Sequence, residues 1–153
     1  MSNTAETWTA LGNALFDNLQ TLRENVPQSP QYQGALAQWL EAAQAYERVL
    51  SLEENEVVRS DLALTLWSYG TDADDEASRQ RALAETEQAV ERGVSESRAL
   101  INYGLVFAGS DPPRIDDAAA LWQRVIDVAP DTQEAARAQQ LLQNYGRADS
   151  SQS

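Results

Sequence analysis

The sequence predicts an all-α fold built from antiparallel helix pairs, and three observations carry that reading. The apolar residues are mainly Ala and Leu, which favour helices, and strand-like runs of Val, Ile and Thr are missing. Apolar positions recur at spacings of three and four along most of the chain. The stretch from Ala99 to Pro130 reads as one complete hairpin. There Leu100, Tyr103, Gly104 and Phe107 form one helix face, and Ala118, Trp122 and Val125 form a second, closed by Pro130. Gly104 and Ala118 are small where two helices approach closely, and Phe107 and Trp122 fill the remaining space.

Taken in order, residues 1–4 are polar and expected to be flexible. The first helix follows, with Trp8, Leu11, Gly12 and Leu15 on one face and Leu19, Leu22 and Val26 continuing the stripe until Pro27 stops it. Ser29-Pro30 is a cap followed by a proline in the first turn, a strong helix start. The second helix carries Leu36, Trp39 and Leu40, then Ala42, Tyr46 and Val49. Through this stretch helical spacing persists, so two continuous helices of about 20 residues are expected, with Leu19, Leu22 and Val26 facing Leu36, Trp39 and Leu40.

The third helix holds Leu62, Ala63 and Leu66 and is expected to end at Gly70. A polar turn around Asp72, Asp74, Asp75 and Glu76 follows. It lacks the alternating ligands, the glycine and the distal glutamate of a calcium loop, and reads as a solvated turn that caps the next helix. In that helix Ala82, Thr86 and Ala89 repeat the small-residue comb, and Gly93 closes it. After the Ala99–Pro130 hairpin, Ala135, Ala138, Leu142 and Tyr145 make an apolar stripe on a polar helix, suited to covering the last hairpin. Residues 147–153 read as a disordered tail.

Three hairpins in one register resemble the tetratricopeptide repeat, a helix–turn–helix unit of about 34 residues with the pattern W-x2-L-G-x2-Y…A-x3-F-x2-A-x4-P. The resemblance spans about residues 6–145. It implies one domain over 5–146, with repeats at about 5–55, 56–94 and 97–130 and a capping helix over 132–145. That makes about seven helices in a right-handed superhelix whose first hairpin is elongated, its repeat carrying about 18 extra residues. The second repeat is the weakest match: Arg59 stands in the tryptophan position, and about seven extra residues are assigned to the acidic turn.

The resemblance also implies a function, the binding of another protein, and a place for it. In the family the first helix of each pair lines a concave groove. Those positions here hold Asn13 and Phe16; Val57, Ser60, Asp61, Leu64 and Trp67; and Arg98, Ile101, Asn102 and Leu105. Some members clamp a C-terminal carboxylate there. Of the clamp positions, only Asn13 matches outright, Arg98 keeps the charge, and Asp61 repels a carboxylate, so no such clamp is expected. The groove reads instead as a partly apolar, acid-rimmed trough for a helical or extended segment of a partner, with a basic or amphipathic partner favoured. In the competing reading the protein's own helices fill the trough and Trp67 is ordinary core. Self-assembly through the groove or the repeat ends is an alternative function. So is the holding of client tails, as in the tetratricopeptide domains that assist bacterial cytochrome c assembly.

Composition narrows the remaining classes. Cysteine and histidine are absent, so no thiol nucleophile, imidazole base, disulfide or Cys/His metal site is expected, and no cofactor is implied. Without a nucleophile or base that a pocket would single out, the chain is not read as an enzyme. The net charge is −13, and every basic residue is arginine. Such a chain offers no basic stripe for nucleic acid. A solvated, self-repelling surface is the plainest account of the acidity; adaptation to high salt and GC-rich coding are others. No signal or spanning segment is seen, which leaves compartment undetermined. A soluble cytoplasmic protein is the default, and an extracytoplasmic domain separated from its anchor is the other reading.

Overall fold

The computed structural model of the chain describes residues 4–152, with side chains described for 4–146. Among the described residues the fold is all-α, without strands, and has eight helices: α1 Ala5–Asn25, α2 Pro30–Gly34, α3 Gln38–Leu52, α4 Glu56–Asp72, α5 Glu76–Arg92, α6 Ser97–Ala108, α7 Ile115–Val128 and α8 Gln133–Gln152. Local chemistry sets most starts. Thr4, Ser29, Asn55 and Asp75 cap α1, α2, α4 and α5, each accepting a hydrogen bond from the backbone N–H three residues on. Gly93 ends α5 at φ 105°, a conformation that glycine adopts without strain.

The helices pair as antiparallel hairpins. In the first, Tyr46 of α3 donates to Asn13 Oδ1 at 2.8 Å, while Trp39, earlier in α3, meets Phe16, later in α1. In α6 and α7, Trp122 Nε1 donates to Ile101 O, and Arg114 lies over Phe107. Successive hairpins run the same way. Asn102 of α6 bonds Ser60 and Asp61 of α4, and Trp67, farther along α4, bonds Gly109 just past α6. α4 is the central element, packed against α3, α5 and α6, and it is buried nearly all round, from Val58 to Ser68. α8 covers the far end, where Ala138 and Leu141 are buried and Tyr145 stacks on Trp122 with ring centres 5.3 Å apart.

Four expectations need correction. The second helix of the first hairpin is not continuous. It divides at Ala35–Ala37, where Ala35 N bonds Tyr32 O and Trp39 N bonds Leu36 O in tight three-residue turns. Gly34, a poor helix former, precedes the break, and the turn keeps Tyr32, Ala35 and Trp39 all facing inward. This break gives eight helices rather than seven. Val26 does not join the hairpin core but is exposed, because it lies past the end of α1. Gly70 does not end α4; the helix continues to Asp72. A Cβ at Gly70 would lie 2.7 Å from Arg79 N, so this glycine serves a close approach of α5 instead. The extra length of this hairpin therefore sits in two 17-residue helices joined by Ala73–Asp75, not in a long turn. At the other end, α8 carries helical backbone as far as Gln152.

The elongated part of the first hairpin is pinned to the end of α4 by polar contacts. Arg23 Nε donates to Asp72 Oδ2 at 2.7 Å, Tyr32 Oη donates to the same oxygen at 2.5 Å, and Trp39 Nε1 donates to Tyr32 Oη at 3.0 Å. Burial, reinforced by the bond to Asp72, pushes the Tyr32 hydroxyl up to about 12, so it remains a donor.

Candidate functional site

The parallel run of α1, α4 and α6 brings the residues singled out in the sequence to one face, at different depths. Ser60 and Asp61 are buried, as are Phe16, Leu64, Ile101 and Asn102. Asn13, Val57, Trp67 and Leu105 are half-buried, and Arg98 is exposed. The apolar surface open to a partner is thus narrower than the sequence suggests. Phe16 turns into the first hairpin and packs edge-on against Trp39, with ring centres 5.5 Å apart and planes at 78°. Leu64 and Ile101 form the floor.

Trp67 occupies the middle of this face. Its Nε1 donates to Gly109 O at 3.2 Å, and its ring lies where a Cβ at Gly109 would be. The Arg23 guanidinium lies over the ring on another side, 5.0 Å from its centre. The sequence reading of this face lacks Arg23, and it places the anchor Asp72 in a solvated turn, whereas the carboxylate is largely covered and paired with Arg23. A faint signal exists: Arg23 follows Phe16 and Leu19 at seven and four residues, on the same stripe of α1.

Next to the apolar patch lies a polar cavity of about 370 Å3, whose lining includes Asn13, Glu56, Val57, Asp61, Glu96 and Arg98. Asp61 is only 2% exposed. Asn102 Nδ2 donates to its Oδ1 at 2.9 Å, and Arg98 Nη2 lies 3.2 Å from the same oxygen. Burial pushes its carboxyl up to about 6, against the opposing pull of Arg98 and Asn102. Burial likewise raises the Tyr46 hydroxyl, with the Asp61 charge adding to the effect. At the mouth, Glu56 accepts from Ser95 N and Ser95 Oγ at 2.6 and 3.0 Å, which fixes the start of α4 against the loop before α6.

Among the described residues, no group of three or more His, Cys, Asp or Glu is placed to hold a metal ion, and no helix is long and apolar enough to cross a membrane. No family model, curated protein or solved structure matches the chain.

Proposed function

We propose that the chain is a tetratricopeptide-like helical repeat acting as a non-catalytic protein-interaction scaffold. It holds a helical or extended segment of a partner against the face formed by α1, α4 and α6. Trp67 is the observation that carries this reading: a large aromatic side chain at the middle of the face, half-buried and only partly covered by its own chain. Tryptophan combines a large contact area with one polar atom, and it is enriched among residues that dominate binding. Val57 and Leu105 extend the apolar strip, while Glu56 and Glu96 place acids beside it, which favours a basic or amphipathic partner.

The repeat reading draws support from one relationship that occurs twice. A Cβ at Gly12 would meet the Tyr46 ring, and a Cβ at Gly104 would meet the Trp122 indole. Both pairs set the glycine of the first motif half against the aromatic of the second. Ala63 and Thr86, both fully buried, stand at the matching positions of the second hairpin.

The test is affinity capture from native lysate at native salt, followed by titration of the identified partner segment against the purified chain and its Trp67→Ala variant. The variant is expected to keep its helical content and to lose about 2 kcal/mol of affinity or more. A partner segment that binds both proteins equally well overturns the assignment of this face.

A further inference from the structure

We propose that Asp61 anchors a cation-binding subsite on this face, one that receives the ammonium or guanidinium head of a lysine or arginine side chain from the bound segment. The inference rests on the scaffold reading and specifies the chemistry that the partner must present.

The structure places a carboxylate at the wall of a cavity and leaves half of it unused. Oδ1 takes the Asn102 hydrogen bond and faces Arg98, whereas Oδ2 accepts no hydrogen bond from any described residue. Oδ2 is also not among the buried polar atoms sealed from solvent without a partner, so it remains reachable from the cavity. A carboxylate withdrawn from water yet lacking a donor on one oxygen gains more from an added cationic donor than an exposed carboxylate does. The cavity, at about 370 Å3, falls at the lower end of the range for small-ligand pockets, about 300–1,000 Å3.

The surrounding charge selects the sign of the ligand. Glu56, Asp61 and Glu96 line the cavity against one base, Arg98, and Asp17 adds negative potential at Asp61 from the side of α1. An anion here would face three carboxylates and find its only base already beside Asp61. A cation meets the free Oδ2 and the acidic rim together. Arg98 lines the same cavity with its side chain about half exposed, and its guanidinium competes for Asp61.

The probe is n-butylguanidinium chloride, titrated at pH 7.5 and constant ionic strength into the full chain labelled with 15N, with tetramethylammonium chloride as the non-donating control. Expected are saturable shifts at the Asn102 side-chain amide and the Asp61 and Arg98 backbone amides, absent with tetramethylammonium. Asp61→Asn is expected to weaken the interaction about tenfold or more, and Arg98→Ala to strengthen it by removing the competing guanidinium. Glu134→Gln, an equal charge change at an exposed position of α8, is expected to leave it unaltered. Unsaturable shifts, shifts unchanged in Asp61→Asn, or equal shifts with tetramethylammonium overturn the subsite. If they do so while an apolar segment still loses affinity in Trp67→Ala, the scaffold reading stands and the subsite alone fails. A subsite that binds the probe in a chain for which Trp67→Ala changes no partner affinity overturns the scaffold assignment instead.

Discussion

The guanidinium of Arg23 lies 5.0 Å from the centre of the Trp67 ring while its Nε holds Asp72 at 2.7 Å. The two contacts join three places in the fold: the far end of α1, the middle of α4 and the end of α4. Arg23 is itself partly buried, so the cation meets the ring with less competition from water than on an open surface. The elongated first hairpin thus has a physical role. It carries an arginine out to cover one side of the tryptophan at the centre of the candidate face, and leaves the rest open.

Removing that cover is expected to expose Trp67 without unfolding the chain. In Arg23→Ala the Trp67 fluorescence shifts to longer wavelength, because the indole gains water on the side where the guanidinium lay. Trp39 and Trp122 are fully buried and Trp8 lies on the opposite end of α1, so the Trp67 component is isolated by subtracting the spectrum of Arg23→Ala/Trp67→Phe. The lost cation–π contact and ion pair cost about 1–2 kcal/mol in a urea melt. An unshifted difference spectrum means that Arg23 does not shield the ring.

The sequence made the helices legible because their signals are local. Apolar spacing, the Ser29-Pro30 start and the Gly93 stop each act within a turn or two, and all appear in the structure. Gly70 shows where such signals fail. A glycine near the end of an apolar stripe suits a helix stop, but the same absence of Cβ also serves a close crossing, and only the position of Arg79 on the next helix decides between them. The candidate site was legible as a set of positions, not as a set of exposures. Phe16 and Trp67 hold equivalent motif positions, yet Trp39 takes up the first ring, whereas the second is only half-buried at the edge of the core, with Arg23 over its ring and Gly109 O on its Nε1. Asp61 was read as a charge that repels carboxylates. Its hydrogen-bond partner Asn102 stands 41 positions away in the chain, which no spacing rule reaches.

Glycines at close crossings and elsewhere are expected to respond in opposite directions. In Gly104→Ala the new methyl overlaps the Trp122 indole, which is fully buried and held by Ile101 O, so neither partner can move cheaply. A loss of about 1–3 kcal/mol follows from overpacking. Gly34 has nothing within 4 Å of its Cβ position, and Gly34→Ala is expected to be neutral or to stabilise by about 0.4–1 kcal/mol through the unfolded chain. Thermal or urea melts of the two variants check the pair. Equal effects would show that the Gly104–Trp122 crossing is not tight.

Ionic strength is expected to raise stability. The chain carries −13, with 24 acidic residues against 11 arginines, so the folded state is self-repelling at low salt. Added sodium chloride raises Tm, and most of the gain arrives by about 0.5 M if screening is the cause, because the Debye length is then only a few ångströms. Continued gains into the molar range support adaptation to high salt. A Tm indifferent to sodium chloride removes both explanations.

Acidification is expected to stabilise the native chain relative to Asp61→Asn. Burial raises the Asp61 carboxyl to about 6 in the folded protein, above its ordinary value of 3.8. A carboxyl raised in this way contributes most favourably when protonated, and that contribution is lost as pH climbs from about 4 through about 6. At pH 7 the buried charge then costs about 3 kcal/mol relative to its protonated form. Asparagine cannot titrate, so the stability of Asp61→Asn relative to the native chain rises by up to about 3 kcal/mol between pH 4 and pH 7. Asp17 on α1, Tyr46 on α3, Glu56 on α4, Glu96 at the start of α6 and Arg98 in its first turn surround the same position and are common to both proteins. Their own titration therefore largely cancels in the difference. Urea melts of both proteins at intervals from pH 4 to pH 7.5 measure it directly. A difference that is flat or falls with pH would mean that Arg98 and Asn102 outweigh the loss of water, and that Asp61 is held as a satisfied ion rather than a carboxylate in need of a partner.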